Sequence, residues 1–135
     1  MKKVNCILLV DDDEFDNFYH EMNIRQAGVC DHIKIACDGE SALDYLSRSA
    51  ADEPSFPKPD IIYLDINMPR INGFDFLDEL KNMDRQFISG IVIIMLSTSL
   101  NPNDISKALS YPEVKEFQNK PLTSAMVKET VEKCF

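Results

Sequence analysis

Three carboxylates in this 135-residue chain stand directly after short apolar runs. Asp11 and Asp12 follow the run 6–10, and Asp65 closes the run 61–64. If these runs are neighbouring parallel strands, their ends meet at one edge, where each carboxylate pair would repel by about 3 kcal/mol at an effective dielectric of about 20. A hard divalent cation would compensate this repulsion, because the ligands on offer are oxygens. Mg2+ binds one or two carboxylates together with water and phosphate oxygens, so the cluster predicts half of a magnesium and phosphoryl site.

A hydroxyl and a cation stand in equivalent positions further along the chain. Ser97 follows the apolar run 91–96, and Lys120 follows a weaker predicted strand at 114–118. The lysine can act as a point charge and the serine hydroxyl as a hydrogen-bond donor to phosphoryl oxygens. We therefore expect these two residues to supply the other half of the site.

Regularly alternating elements would bring these residues together. After each apolar run, apolar residues recur at the spacing of a helix. After the first run, for example, four large apolar residues share one helical face, and Gly28 then marks the predicted end of the helix. Those four residues are Phe15, Phe18, Tyr19 and Met22. The five strands are expected at 6–10, 32–37, 61–64, 91–96 and 114–118.

Five strands that alternate with five helices are typical of a parallel sheet covered on both faces. The strands at 6–10, 61–64 and 91–96 are apolar throughout and should be central, whereas 32–37 and 114–118 carry polar residues and should be edges. With right-handed crossovers this predicts a doubly wound α/β fold with the strand order 2-1-3-4-5. The ligand site of such a fold lies beyond the carboxyl ends of the central strands.

Composition excludes several classes of protein. Fourteen Lys and Arg residues against 23 Asp and Glu residues give a net charge of −9, which argues against binding to nucleic acid or to an anionic membrane. The basic start 1–3 is followed by an apolar run too short for a signal peptide, so we expect a cytoplasmic protein without a membrane span. The four cysteines match no zinc spacing and should be reduced thiols.

Four motifs occur in order at the predicted strand ends, and together they carry a resemblance. They are Leu9-Val10-Asp11-Asp12, Leu64-Asp65-Ile66-Asn67-Met68-Pro69 with Asn72-Gly73, Leu96-Ser97-Thr98, and Lys120-Pro121. This pattern resembles the receiver domain of bacterial two-component response regulators, in the stand-alone form of the chemotaxis (CheY-like) type. The resemblance covers residues 4–133, which is nearly the whole chain.

The resemblance implies a role for each motif residue. Asp65 would be the phosphoacceptor, which takes a phosphoryl group from a phosphohistidine as an acyl phosphate. Asp12 and Asp65 would bind Mg2+ directly, together with the backbone carbonyl of Asn67. Asp11 would act mainly through a water, and Lys120 would bind a phosphoryl oxygen.

The resemblance also implies a switch. Ser97 takes the place of the hydroxyl residue that moves toward the phosphoryl group, and Phe117 that of the aromatic residue that rotates inward. The side chains of Asn67 and Ser99 stand where the family tunes self-dephosphorylation. The Lys120-Pro121 peptide bond would be cis.

Partners follow from the same resemblance. The donor would be a sensor histidine kinase or a phosphotransfer protein, and an unknown downstream protein would bind the face formed by the helix near 101–110, the fifth strand and the last helix. We expect one receiver domain over residues 1–135 without an output domain, so the signal would leave by protein contact or onward phosphotransfer. We also expect slow self-dephosphorylation in place of enzymatic turnover, and a monomer or weak dimer.

The sequence departs from the family pattern at three places. The loop 49–59 is longer than in the chemotaxis protein and more like that of receivers paired with phytochrome-type kinases. Tyr111-Pro112-Glu113-Val114 replaces the usual Gly-Ala before the fifth strand, which predicts a different movement of the switch region. Phe117 lacks the hydroxyl of the commoner Tyr, but it keeps the ring that a rotamer switch needs.

Three alternative functions remain open from the sequence. A receiver that serves as a phosphate sink, or as a constitutive docking protein, would keep Asp65. An aspartate-nucleophile phosphatase would need an acid at position 67, where Asn stands. A flavin or nucleotide carrier would need a glycine-rich loop after the first strand, where Asp12 and Asp13 would repel a phosphate that lacks a metal.

Overall fold

A computed structural model of the chain describes residues 2–135. Its five strands form one parallel sheet in the order β2-β1-β3-β4-β5, as predicted. The strands are β1 Val4–Val10, β2 Cys30–Ala36, β3 Ile61–Asp65, β4 Val92–Ser97 and β5 Val114–Asn119. The central positions of β1, β3 and β4 explain why these three strands are almost entirely apolar, since both of their faces are covered.

The structure has six helices, five between strands and one after β5, where the sequence predicted five helices in all. They are α1 Glu14–Ala27, α2 Gly39–Ala50, α3 Gly73–Leu80, α4 Arg85–Ser89, α5 Pro102–Leu109 and α6 Ser124–Cys134. The additional helix is α4, whose five residues are too few to show a helical apolar period. Asp84 caps its start, because its side chain accepts a hydrogen bond from the backbone N–H of Gln86.

Capping residues fix where the helices next to the strand ends begin. The side chain of Asp13 accepts from the backbone N–H groups of Phe15 and Asp16 and so starts α1. Gly28 ends the same helix with a φ of 68°, a left-handed conformation that suits glycine. Asn72 and Asp75 form a reciprocal capping box at the start of α3.

The core consists of two apolar layers, one on each face of the sheet. On one face, β-strand side chains such as Leu8, Ile62 and Ile93 pack with residues from α2, α3, α4 and α5. On the other face, Tyr63 and Leu96 belong to a layer that includes residues from α1 and α6. The sheet is therefore covered by helices on both faces.

The apolar face that the sequence showed in α1 does not enter this core. Its side chains are exposed, by 87% for Phe15, 71% for Phe18, 48% for Met22 and 44% for Tyr19. Apolar contacts to the sheet come from Ile24 and Ala27 at the end of the helix.

Polar groups take the inward positions of the first three turns of α1. The buried residues there include Asn17, His20 and Asn23. The side-chain amide of Asn17 donates to the backbone carbonyl of Asp11 at 2.9 Å, and that of Asn23 donates to the carbonyl of Leu122 at 2.8 Å. These bonds fasten α1 to the site edge of the sheet and leave its large apolar side chains outside.

All four cysteines are free thiols, as expected from their spacing. Among residues 2–135, no helix is long and apolar enough to cross a membrane.

Candidate functional site

The register of the sheet brings the sequence-predicted residues to one edge. Val10 pairs with Leu64, and Asp65 pairs with Leu96, so Asp11, which follows β1, lies at nearly the same level as Asp65, which ends β3. Ser97 is the last residue of β4 and pairs with Asn119, the last residue of β5. The backbone N–H of Lys120 donates to the carbonyl of Ser97 at 2.8 Å, which ties the lysine to the same edge.

Three carboxylates form an acidic cluster at this edge. Asp11, Asp12 and Asp65 each place an oxygen so that all three atoms lie within 4.8 Å of one another. Asp11 and Asp65 are buried, whereas Asp12 is exposed. An oxygen-only donor set that is open to solvent on one side suits a hard divalent cation that keeps some of its water.

Lys120 compensates part of the negative charge. Its Nζ lies 2.7 Å from Asp11, 2.8 Å from Asp16 and 3.4 Å from Asp65, and its side chain is only 8% exposed. Burial by itself lowers the pKa of Lys120, but the hydrogen bonds to Asp11 and Asp16 and the charge of Asp65 outweigh it and raise the pKa above its ordinary value. The lysine is therefore a permanent cation in the site.

The pKa of Asp65 is higher than that of a carboxyl group in water. Burial and the charge of Asp11 raise the pKa of Asp65 to about 6, although Lys120 and the backbone N–H of Asn67 act in the opposite direction. At neutral pH the carboxylate is ionised but poorly compensated, so it stands to gain from any added positive charge.

The remaining predicted residues surround this centre. Ser97 is buried, and its Oγ accepts a hydrogen bond from the backbone N–H of Ser99 at 3.1 Å. Asn67 and Ser99 are both exposed beside the strand ends. Phe117 lies on β5, opposite Met95, and is half-buried against the larger apolar layer.

Two backbone features shape the surroundings. The Lys120–Pro121 peptide bond is cis, as the resemblance implied. At Gly73, a Cβ atom would lie 2.8 Å from the carbonyl oxygen of Asp65 and 3.0 Å from the Cα of Ile66. Only glycine lets the start of α3 approach the end of β3 this closely.

Two residues of α1 also lie at the site and were missed from the sequence. Asp16 contacts Lys120, and His20 follows one turn later, where burial and then the charge of Lys120 lower its pKa. Their signal was the spacing of four residues, which places them on one face of a helix that starts beside Asp12. The exposed apolar residues of the same helix dominated the pattern and concealed it.

Comparison with known proteins now identifies the family. The model of the response regulator receiver domain matches residues 7–132. This chain belongs to that family. It is 33% identical over 130 residues to the probable methanogenesis regulatory protein FilR2 of Methanothrix harundinacea, an alignment that covers 93% of this chain and 78% of FilR2.

Solved structures of receiver proteins show the same fold. The structure of a two-component response regulator from Cytophaga hutchinsonii has a TM-score of 0.88 and 32% identity, with 98% of this chain and 97% of that chain covered. The Mn2+-bound form of response regulator Rcp1 has a TM-score of 0.73 and 25% identity, with 96% and 94% covered. Rcp1 comes from Synechocystis, and the sequence alignment with it covers 73% of this chain and 65% of Rcp1.

Membership of the receiver family indicates what kind of site the acidic cluster is. Receiver domains are signalling switches of two-component systems, generally not classed as enzymes, and they bind Mg2+ at an acidic cluster of aspartates. The cluster of Asp11, Asp12 and Asp65 is a possible site of that kind. Receiver domains interact with histidine kinases or phosphotransfer proteins.

Proposed function

We propose that Asp65 accepts a phosphoryl group from the phosphohistidine of a sensor histidine kinase or of a phosphotransfer protein. A carboxylate oxygen of Asp65 forms the new P–O bond while the P–N bond to the donor histidine breaks, and the imidazole nitrogen keeps the electron pair and takes up a proton. The observation that carries the proposal is the position of Asp65 at a strand end, buried, with Lys120 at 3.4 Å and two further carboxylates within 4.8 Å.

The donor set fits Mg2+, and this chain would hold the ion through four groups. They are the carboxylates of Asp12 and Asp65, the backbone carbonyl of Asn67, and Asp11 through a water. When bound, Mg2+ supplies positive charge that neutralises phosphoryl oxygens. The raised pKa of Asp65 supports this assignment, because the carboxylate lacks sufficient compensation from Lys120 alone.

Lys120 and Ser97 hold the transferred group. The ammonium of Lys120 reaches a phosphoryl oxygen on Asp65 by a short movement from its present position 3.4 Å from the carboxylate. The hydroxyl of Ser97 only accepts from the backbone N–H of Ser99, so its own O–H can be donated to a phosphoryl oxygen. Positioning and electrostatics carry most of phosphoryl transfer, so slow self-hydrolysis of the acyl phosphate by water is expected from the same groups.

The exposed apolar face of α1 suits a donor that is a protein. This apolar surface begins at Phe15, three residues after Asp12, and so lies beside the site. It consists of the exposed side chains of Phe15, Phe18, Tyr19 and Met22. Apolar surface of this kind, bordered by polar groups, is typical of protein interaction sites. A protein donor that packs on this surface would bring its phosphohistidine to Asp65.

The readout would pass through Phe117 and the elements near it. Its side chain is half-buried, so it can rotate inward when Ser97 moves toward the phosphoryl group. The surface of α5, β5 and α6 would then change its affinity for a downstream protein, which is a shift of population between two states.

Incubation with acetyl phosphate and Mg2+, followed by intact mass measurement, tests the acceptor. We expect one phosphoryl mass increment in the wild type and none in Asp65→Ala. The absence of an increment in the wild type, or an undiminished increment in the variant, would refute the proposal.

A phosphate sink would use the same site without a downstream partner. Partner capture by the chain with and without beryllofluoride on Asp65 separates the two functions. A partner retained only with the phosphoryl mimic supports the signalling switch, whereas phosphorylation without any change in partner binding favours the sink.

A further inference from the structure

A fourth carboxylate, Asp16, approaches the site from a helix and not from a strand end. It lies in the first turn of α1, where Asp13 caps the helix. Its Oδ2 is 2.8 Å from the Nζ of Lys120, closer than the 3.4 Å that separates the same nitrogen from Asp65. In the unphosphorylated chain, the lysine is therefore held by Asp16 and Asp11 more closely than by the acceptor.

An ammonium group has three N–H bonds, and two of those of Lys120 are engaged. One donates to Asp11 at 2.7 Å and one to Asp16 at 2.8 Å. A phosphoryl group on Asp65 needs at least one strong hydrogen bond from this cation, since it adds negative charge to an edge that already carries four carboxylates. The third N–H lies toward Asp65 at 3.4 Å, and a move of Nζ onto a phosphoryl oxygen lengthens its contact with Asp11 or with Asp16.

The two partners differ in how well they tolerate the loss of the lysine. The side chain of Asp11 is 5% exposed, whereas that of Asp16 is 36% exposed. A carboxylate that loses its ion-pair partner in a buried place has no water to replace it, but an exposed one is hydrated at little cost. Asp16 is therefore the partner that can release Lys120.

We propose that Asp16 is a positioning residue that competes with the phosphoryl group for Lys120 and so slows the phosphorylation of Asp65. In the resting chain it holds the ammonium group on the α1 side of the site. Phosphorylation moves the ammonium group onto a phosphoryl oxygen and leaves Asp16 in water. This inference rests on the proposed role of Asp65 as acceptor. It adds a limit, set by Asp16, on the rate at which Asp65 is phosphorylated.

The test compares Asp16→Asn with Glu14→Gln in the full chain. Both variants remove one negative charge from the first turn of α1, but Glu14 is exposed and has no ion-pair partner among residues 2–135. With acetyl phosphate and Mg2+, we expect Asp16→Asn to raise the initial rate of phosphorylation about two- to fivefold over Glu14→Gln, the range typical of a partly exposed ion pair. Asp16→Ala should give the same increase, which guards against a new contact made by the asparagine.

A second measurement separates competition from a structural role. Titration with beryllofluoride and Mg2+, followed by 19F NMR, should show tighter binding to Asp16→Asn by a similar factor. The gain should disappear when Lys120 is also replaced by Met, because Asp16 then has no ammonium group to hold away from the ligand.

Each outcome decides between the two proposals. A wild type that gains no phosphoryl group refutes the role of Asp65, whatever Asp16 does. A wild type that is phosphorylated, with Asp16→Asn no faster than Glu14→Gln, overturns the competition. A gain that persists without Lys120 overturns it as well.

Discussion

Replacing Asp65 by Asn should stabilise the metal-free fold at neutral pH. Burial and the charge of Asp11 raise the pKa of Asp65 from its ordinary value of 3.8 to about 6. At about 1.4 kcal/mol per tenfold change in proton affinity, keeping this carboxylate ionised costs the folded state about 3 kcal/mol above pH 6. The amide keeps the shape of the side chain and removes the charge.

The sign of the effect depends on pH. A group whose pKa is higher in the folded state than in the unfolded state favours folding through proton uptake at low pH, and that contribution is lost as the pH rises through about 6. We therefore expect Asp65→Asn to exceed the wild type by about 3 kcal/mol at pH 7.5 and to match it near pH 4.

Urea unfolding in EDTA at these two pH values measures the difference. Glu79→Gln is the matched control, because it makes the same acid-to-amide change on an exposed position of α3 and should alter stability little at either pH. Added Mg2+ should stabilise the wild type by mass action and the variant less. Equal stability of variant and wild type at pH 7.5 without metal would refute the electrostatic reasoning.

Three further perturbations address the packing of α3 against β3, the proposed phosphoryl contact of Ser97 and the proposed donor surface on α1. Gly73→Ala should destabilise the fold by about 1–3 kcal/mol in urea unfolding and slow phosphorylation, since its Cβ would meet the carbonyl of Asp65 at 2.8 Å; an unchanged midpoint would contradict the close approach. Ser97→Ala should lower the phosphorylated fraction measured by intact mass while it changes the unfolding free energy by about 1 kcal/mol, as expected for one hydrogen bond; an undiminished fraction would exclude a phosphoryl contact. Phe18→Ser should slow phosphotransfer from a protein donor about tenfold and leave the rate with acetyl phosphate unchanged. Leu109→Ser on α5, another exposed apolar position, should affect neither rate, and equal slowing in both variants would place the donor elsewhere.

Strand patterns predicted the sheet and most of the site because both depend on burial. A strand with two covered faces must be apolar throughout, so the runs at β1, β3 and β4 were visible, and their ends located Asp11, Asp65 and Ser97. The order of the strands followed from the same contrast between apolar and polar runs. The close contact of Lys120 with the carboxylates agrees with its position after β5.

The orientation of α1 could not be predicted from periodicity. A stripe of Phe, Tyr and Met normally marks the buried side of a helix, but here polar groups such as Asn17 and Asn23 take the inner positions. Their amides bind backbone carbonyls of the loops that adjoin the site, a compensation that only the tertiary structure shows. The contact of Asp16 with Lys120 depends on the same orientation of α1, so the sequence did not show it either.

The arrangement of α1 sets a limit on the length of the chain between Asp12 and Asp16. The helix presents a carboxylate to Lys120, amides to the loop carbonyls and aromatic rings to the solvent. Successive side chains of a helix point about 100° apart around its axis. One inserted residue in this segment would rotate all three surfaces together and put the ring of Phe15 where Asp16 meets the lysine, whereas one deleted residue would put Asn17 there. Substitutions here can accumulate one at a time, but a change of length would have to be repaired over the whole helix at once.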